Sequence, residues 1–149
     1  DLIIEGDKDL VRTNTEATLL VYMADKNGKG GQEYASDGHS LDIPLAVLVN
    51  GESASASEVF TGAVMDYDAG IVVGTTTFGK GIVQNLIPLG DGTAIKLTTA
   101  HYYTPNGFDL HGKGLEPDVV VEMDGELQKK AVVELSEDNQ LQAAIEAMN

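Results

Sequence analysis

Asn50-Gly51-Glu52-Ser53-Ala54-Ser55-Ala56-Ser57-Glu58, followed after twenty-two residues by Lys80 inside Thr77-Phe78-Gly79-Lys80-Gly81, is the stretch on which the reading of this 149-residue chain turns. The apolar run Leu45-Ala46-Val47-Leu48-Val49 leads into the three serines. Unbroken apolarity over a short run predicts a strand covered on both faces, as in a parallel sheet. From Ser55 or Ser57 to about Asp66 the spacing predicts a helix, with Val59, Phe60, Ala63 and Val64 on one face. Gly70 is expected to cap it, Ser57 is a second candidate N-cap, and Ile71-Val72-Val73 is read as the next strand. Strand, serine, helix, strand and lysine give the outline of a serine nucleophile with a lysine base.

The chemistry favours that order. A serine hydroxyl is a weak nucleophile until a neighbour removes its proton. A strand-to-helix turn exposes the hydroxyl, and helix N-terminal amides favour developing negative charge. Ala54 and Ala56 leave room for a substrate backbone. A lysine is a base only when neutral, and burial favours that form. Lys80, after Phe78 and between two glycines, is expected to be buried. On spacing alone, a serine-rich turn that merely caps a helix and a solvated lysine remain open. His39, His101 and His111 lie outside the serine-to-lysine segment and carry surface readings, so a Ser-His-Asp triad is not favoured. A Ser-x-x-Lys arrangement is excluded because Lys80 lies far beyond Ser55.

Elsewhere, Thr18 to Met23 is predicted as a strand, with Asn27-Gly28 as a hairpin signal and Gln32 to Ala35 as the return. The turn from Asp25 does not fit a calcium loop, because Lys29 falls where an oxygen ligand is required and Ser36 where a bidentate glutamate is. Val83 to Leu89 and Thr93 to Thr99 are predicted as a hairpin, Val119 to Val121 as a short strand, and Ser136 to Met148 as a helix capped by Ser136. The apolar face of that last helix is read as Leu141, Ala144, Ile145 and Met148.

The formal charge is −15. Residues 1–50 carry nine acidic and four basic side chains, residues 51–115 six and three, and residues 116–149 nine and two, so acid flanks a more balanced middle. Such a surface repels phosphates and anionic lipid, which argues against nucleic acid as a partner. Cysteine is absent, which excludes disulfides and thiolate metal sites. No metal or cofactor is expected.

Pro44-Leu-Ala-Val-Leu-Val-Asn50, Ser53-Ala-Ser-Ala-Ser-Glu58, Gly62-Ala63, Asp66, Val73-Gly74, Thr77-Phe-Gly-Lys-Gly81, Val83-Gln84, Lys96-Leu-Thr-Thr99, Tyr103-Thr-Pro-Asn-Gly107 and Gly112-x-Gly114-x-x-Pro117-Asp118 resemble the C-terminal processing, or tail-specific, serine peptidases. The likeness runs in order from Pro44 to Val121 and departs locally at Gly51-Glu52. It implies an α/β fold with a core like those of crotonase and Clp protease, a mixed sheet with flanking helices. It also implies that Ser55 is the nucleophile, Lys80 the base and Gln84 the residue that orients the lysine. Ser53 and Ser57 are then structural, and Tyr103, Pro105, Gly107, Pro117 and Asp118 architectural.

The resemblance implies protein or peptide substrates cut near their C-terminal ends and an extracytoplasmic, periplasmic or envelope-side location for a membrane-associated parent. Relatives carry an Asp-Leu-Arg-x-Asn-x-Gly-Gly-like segment that supplies an oxyanion donor, and a PDZ domain. Neither pattern occurs in these residues, so the chain is read as the C-terminal part of a longer peptidase and an incomplete domain. An incomplete core is expected to dimerise or exchange strands. The organisation expected is a polar segment and hairpin over 1–43, a Ser-Lys peptidase core over 44–123, and an acidic segment with a helix over 124–149. The alternative is a peptide- or ligand-binding module that keeps the fold without catalysis.

Overall fold

The computed structural model describes residues 18–29, 31–37 and 43–149. Residues 1–17 and 38–42, and with them His39 and most of the expected N-terminal segment, lie outside the described residues.

The order of elements is β1 (Leu19–Ala24), β2 (Glu33–Ala35), β3 (Ala46–Val49), α1 (Ala56–Asp66), β4 (Ile71–Gly74), β5 (Ile82–Pro88), β6 (Ala94–Tyr103), β7 (Val119–Val120) and α2 (Asn139–Ala147). One turn of 3₁₀ helix, Leu127–Lys129, precedes α2. The fold is α/β, as expected, but the strands separate into two sheets. A three-stranded parallel sheet runs β3-β4-β7 and a four-stranded antiparallel sheet runs β2-β1-β6-β5.

The parallel sheet carries the central crossover. β3 and β4 pair from Ala46 opposite Ile71 to Val49 opposite Gly74, and α1 connects them, as parallel pairing requires. Val49, Val64 and Val72 form a buried cluster against which Leu45, Val47 and Met65 pack. Val47 and Val72 are register partners, so one face of the sheet meets α1. By strand alternation Val73, fully buried, looks to the other face, and α2 packs on β3 and β4. β3 is not covered on both faces along its length, since Leu48 is 43% exposed on an edge strand. The Asp118 carboxylate accepts from the Val72 amide at 2.7 Å and fastens β4 just beyond its pairing with β7.

α1 bridges the two sheets, touching β4 on one side and β1 on the other. The Tyr67 hydroxyl at its end donates to the Leu19 carbonyl at 2.6 Å, and Asp66 accepts from the Asn106 amide at 2.7 Å. The buried face differs from the one predicted. Glu58, Thr61, Gly62, Ala63 and Val64 are buried, whereas Phe60 is exposed. Two opposed sheets need two faces of the helix, which a single apolar stripe does not describe.

The C-cap of α1 is Tyr67, with Asp68 at φ 50° beyond it. Gly70 serves packing instead, because a Cβ there would meet the Leu45 carbonyl oxygen at 2.8 Å. α2 begins later than predicted. Asp138 rather than Ser136 is its N-cap and accepts from the amides of Gln140 and Leu141 at 3.0 and 2.9 Å. Of its expected apolar face only Ala144 is buried, while Ile145 and Met148 are exposed.

β1 and β2 form the predicted antiparallel hairpin. Asp25 organises the turn by accepting from the Asn27 and Lys29 amides at 2.8 and 3.0 Å. Those two bonds hold its carboxyl below the ordinary aspartate range. β5 and β6 are also antiparallel partners, from Ile82 opposite His101 to Pro88 opposite Ala94. Their outer half carries the exposed apolar side chains Leu86, Ile87, Ile95 and Leu97.

Candidate active site

The site lies where β3 hands the chain to α1. After Val49 the chain turns tightly. Ser53 N–H donates to the Asn50 carbonyl at 2.9 Å, Asn50 N–H to Ser53 Oγ at 3.1 Å, and Glu52 N–H to Asn50 Oδ1 at 2.9 Å. Ser53 therefore shapes the turn, and its carbonyl accepts from Phe78 N–H at 2.9 Å.

Ser55 is the N-cap of α1, with φ 57° and ψ −111°. For a residue bearing a Cβ this is a costly conformation, worth about 1–3 kcal/mol, that persists only where the surroundings impose it. The ordinary cap geometry has an extended residue whose side chain turns inward. Ser55 departs from it, is only half-buried, and its hydroxyl makes no cap hydrogen bond. Ser57 stands one residue inside the helix and is exposed, so the expected cap at Ser57 is not formed.

Glu58 imposes the strain on Ser55. Its side chain is fully buried and accepts four hydrogen bonds. Oε1 takes the Thr77 hydroxyl and the Gly79 amide, both at 2.6 Å. Oε2 takes the Ser55 amide at 2.9 Å and the Lys80 amide at 2.8 Å. The geometry is that of a capping box in which the Glu58 half makes the full bond. Thr77 Oγ1 in turn accepts from the Leu115 amide at 2.8 Å. A carboxylate, being purely an acceptor, suits four convergent donors. One oxygen shared by the amides of Ser55 and Lys80 holds their main-chain nitrogens within roughly 6 Å of one another.

Gly79 makes the lysine turn possible. Its φ is +84°, and a Cβ there would meet the Gly114 nitrogen at 2.8 Å and the Lys113 nitrogen at 3.1 Å. Gly112 N–H donates to the Gly79 carbonyl at 2.9 Å. The loop around residues 110–114 is thus the seat of the turn that carries Lys80.

The structure brings the Ser55 and Lys80 backbones together, but it does not bury the lysine. Lys80 is exposed, contrary to the expectation drawn from its apolar and glycine neighbours. Those neighbours bury the backbone of Gly79 and Gly81 and leave the side chain outward. Gln84 lies on β5, exposed, and its amide donates to Thr98 Oγ1 at 3.3 Å. The sequence pointed to no role for Glu58 beyond its place in the serine run. The signal present was its position three residues after a cap serine, which matches a capping box.

The Ala56 amide, first in the helix, has no intrahelical acceptor. His101 and His111 are remote from these groups in sequence and pair with one another and with Asp109. His101 Nδ1 is 3.1 Å from Asp109 Oδ2, and the two imidazole rings are 4.9 Å apart. Among the described residues no group of three or more His, Cys, Asp or Glu side chains could hold a metal ion.

The profile of peptidase family S41 matches residues 5–121. A carboxy-terminal-processing protease of Bartonella bacilliformis is 54% identical over 79 residues, which is 53% of this chain and 18% of that protein. A carboxyl-terminal-processing protease of Synechocystis is 37% identical over 146 residues, covering 98% of this chain and 34% of that one. Among solved structures, the photosystem II D1 C-terminal processing protease superposes with a TM-score of 0.68 at 42% identity, covering 72% of this chain and 28% of that one. The chain thus spans about a third or less of the length of these relatives.

Proposed function

The chain belongs to peptidase family S41, and from that premise we propose that the protein carrying it is a serine endopeptidase of the C-terminal processing type, with Ser55 as nucleophile and Lys80 as general base. The observation that carries this reading is the shared Glu58 oxygen, which fixes the strained Ser55 and the Lys80 backbone to one point.

In this mechanism neutral Lys80 takes the Ser55 proton as Oγ attacks a peptide carbonyl. The Ala56 amide donates to the oxygen as it becomes negative, and a second donor comes from outside the described residues. The tetrahedral species collapses to an acyl-enzyme while the lysine ammonium gives its proton to the leaving amine. Lys80 then activates water for deacylation. The exposed Lys80 acquires its dry surroundings from bound substrate or from chain beyond these residues. Gln84 is assigned to hold the amine through its side-chain oxygen, its amide being spent on Thr98. Substrates are proteins or peptides cut near their C-terminal ends, and the site of action is extracytoplasmic. Among the described residues no helix is long and apolar enough to cross a membrane.

The exposure of Lys80 favours one rival, a binding module that keeps the fold without catalysis. Cleavage of an unfolded protein by the full-length chain separates the two. Ser55→Ala should remove turnover by at least about 10³-fold, and Ser53→Ala and Ser57→Ala should retain some. Turnover undiminished in Ser55→Ala would leave the binding role standing and remove Ser55 from the chemistry.

A further inference from the structure

His101 and His111 both stand close to Gly81, the residue that follows Lys80. On β6, His101 is the register partner of Ile82, and the Tyr102 amide beside it donates to the Gly81 carbonyl at 2.8 Å. On the loop, the His111 nitrogen would lie 3.0 Å from a Cβ built on Gly81, and buried Leu110 packs against the same glycine. One carboxylate joins the two histidines. Asp109 Oδ2 lies 3.1 Å from His101 Nδ1, and Asp109 Oδ1 accepts from the His111 amide at 3.1 Å. The imidazole rings meet edge to face with centroids 4.9 Å apart.

We infer that His101, Asp109 and His111 form a proton-operated latch on the loop that seats the Lys80 turn, holding while at most one ring is charged and loosening when both are. Its effect on turnover rests on Lys80 being the base. An ionised carboxylate only accepts, so the His101 nitrogen facing Asp109 carries a hydrogen. A first proton on the pair turns that contact into a charge-assisted bond. A second sets two imidazolium rings 4.9 Å apart against a single carboxylate. Rotation of Asp109 to meet one ring would then release the His111 amide, and with it residues 111–114. The Gly112 amide, which donates to the Gly79 carbonyl on the other side of Lys80, goes with them. Leu110, 2% exposed, keeps the base of the loop in the core, so the loosening is local.

The surrounding charges do not relieve the repulsion. Lys113 acts on Asp109 from the same loop, and Lys80 lies just beyond Gly81, so both add positive charge. Asp25 and Lys26 of the β1–β2 turn line a cavity of about 660 Å³ together with His101 and Asp109. Asp25 is committed to the Asn27 and Lys29 amides, and Lys26 offsets its charge. Tyr103, held above the ordinary tyrosine range by burial and by Asp109, is stacked on Tyr22. The His101 and Asp109 side chains are 37% and 32% exposed, so protons reach them in the folded protein. Histidine side chains change charge between about pH 5 and 8. The latch is therefore closed above that range and opens as pH falls through it.

Hydrogen exchange read by mass spectrometry on the full-length chain tests the latch without recourse to activity. Protection of the segment 108–116, corrected for intrinsic exchange, should fall about 10-fold between pH 7.5 and 5.5. His111→Gln and, independently, His101→Gln remove the second charge and should each hold that protection nearly constant. Turnover tests the link to Lys80. The ratio of kcat at pH 5.5 to kcat at pH 7.5 should be about 10-fold higher in His111→Gln than in the unaltered protein, because the proton on Lys80 itself depresses both alike. Protection that does not change with pH, or that falls equally in both variants, would overturn the latch. A latch seen by exchange with an unaltered kcat ratio would overturn its link to Lys80. Failure of the dyad reading is seen separately, as turnover surviving in Lys80→Arg, and the exchange result decides the latch in either case.

Discussion

Glu58 is the residue on which the site's geometry depends most directly, and its chemistry can be tested by one atom. Glu58→Gln keeps the shape but replaces one acceptor oxygen by an amide nitrogen. Whichever way the amide lies, two of the four donors now face another donor. Leaving buried donors unmatched costs about 1–3 kcal/mol each, so Glu58→Gln should lower stability by roughly 3 kcal/mol and depress kcat with it. Urea titration and peptide turnover by the full-length chain check both, and a fully stable, fully active variant would show that Glu58 does not hold the serine and lysine turns together. Lys80 is tested differently. Its main-chain amide is bound by Glu58 whatever the side chain, so substitutions at that position should fold normally. Arginine keeps the charge but does not release its proton near neutral pH. Lys80→Arg should therefore be about as inactive as Lys80→Ala, and substantial turnover by Lys80→Arg would exclude a base role.

At the scale of elements, the Lys80 turn and the 108–114 loop form one assembly. Gly79→Ala would place a methyl against the Gly114 and Lys113 nitrogens at a φ that disfavours it. It should cost about 1–3 kcal/mol and reduce turnover more than its effect on melting would suggest, because the lysine moves with the turn. Melting temperature and kcat measured on the same preparation would show this, and unchanged kcat would separate the turn from the site. The loop has its own acid sensitivity. Burial pushes the Asp109 carboxyl up, but its bonds to the His101 ring and the His111 amide outweigh that and hold it below the ordinary aspartate range. A carboxyl depressed in the folded state stabilises it above the unfolded value, and that contribution is lost as pH falls through the folded one. Thermal stability should thus fall below about pH 4, and Asp109→Asn should flatten that part of the profile. An identical acid limb in Asp109→Asn would assign the sensitivity elsewhere.

For the whole molecule, the exposed apolar surface leads to one expectation. Among the described residues Leu86, Ile87, Ile95 and Leu97 lie exposed on the β5–β6 arm, and β3 is an edge strand. Residues 1–149 should therefore self-associate with concentration on size-exclusion chromatography. A species that stays monomeric as its concentration rises would show that this surface is not adhesive. The sequence by itself determined the strand-helix-strand crossover, both hairpins and the boundaries of α1 to within a residue, because apolar runs and turn glycines are local properties; the family followed from the resemblance of its motifs taken in order. That resemblance also implied a structural role for Ser53, and the Asn50 turn holds it. Only the tertiary structure decided which residues α1 buries, since that helix answers to two sheets at once, and that Lys80 points outward while its backbone is held. It alone revealed Glu58 as the common acceptor, because its donors come from two segments, one beside it on α1 and one more than eighteen residues further along. No periodicity records such a meeting; it exists only once β4 has returned the chain to the start of the helix.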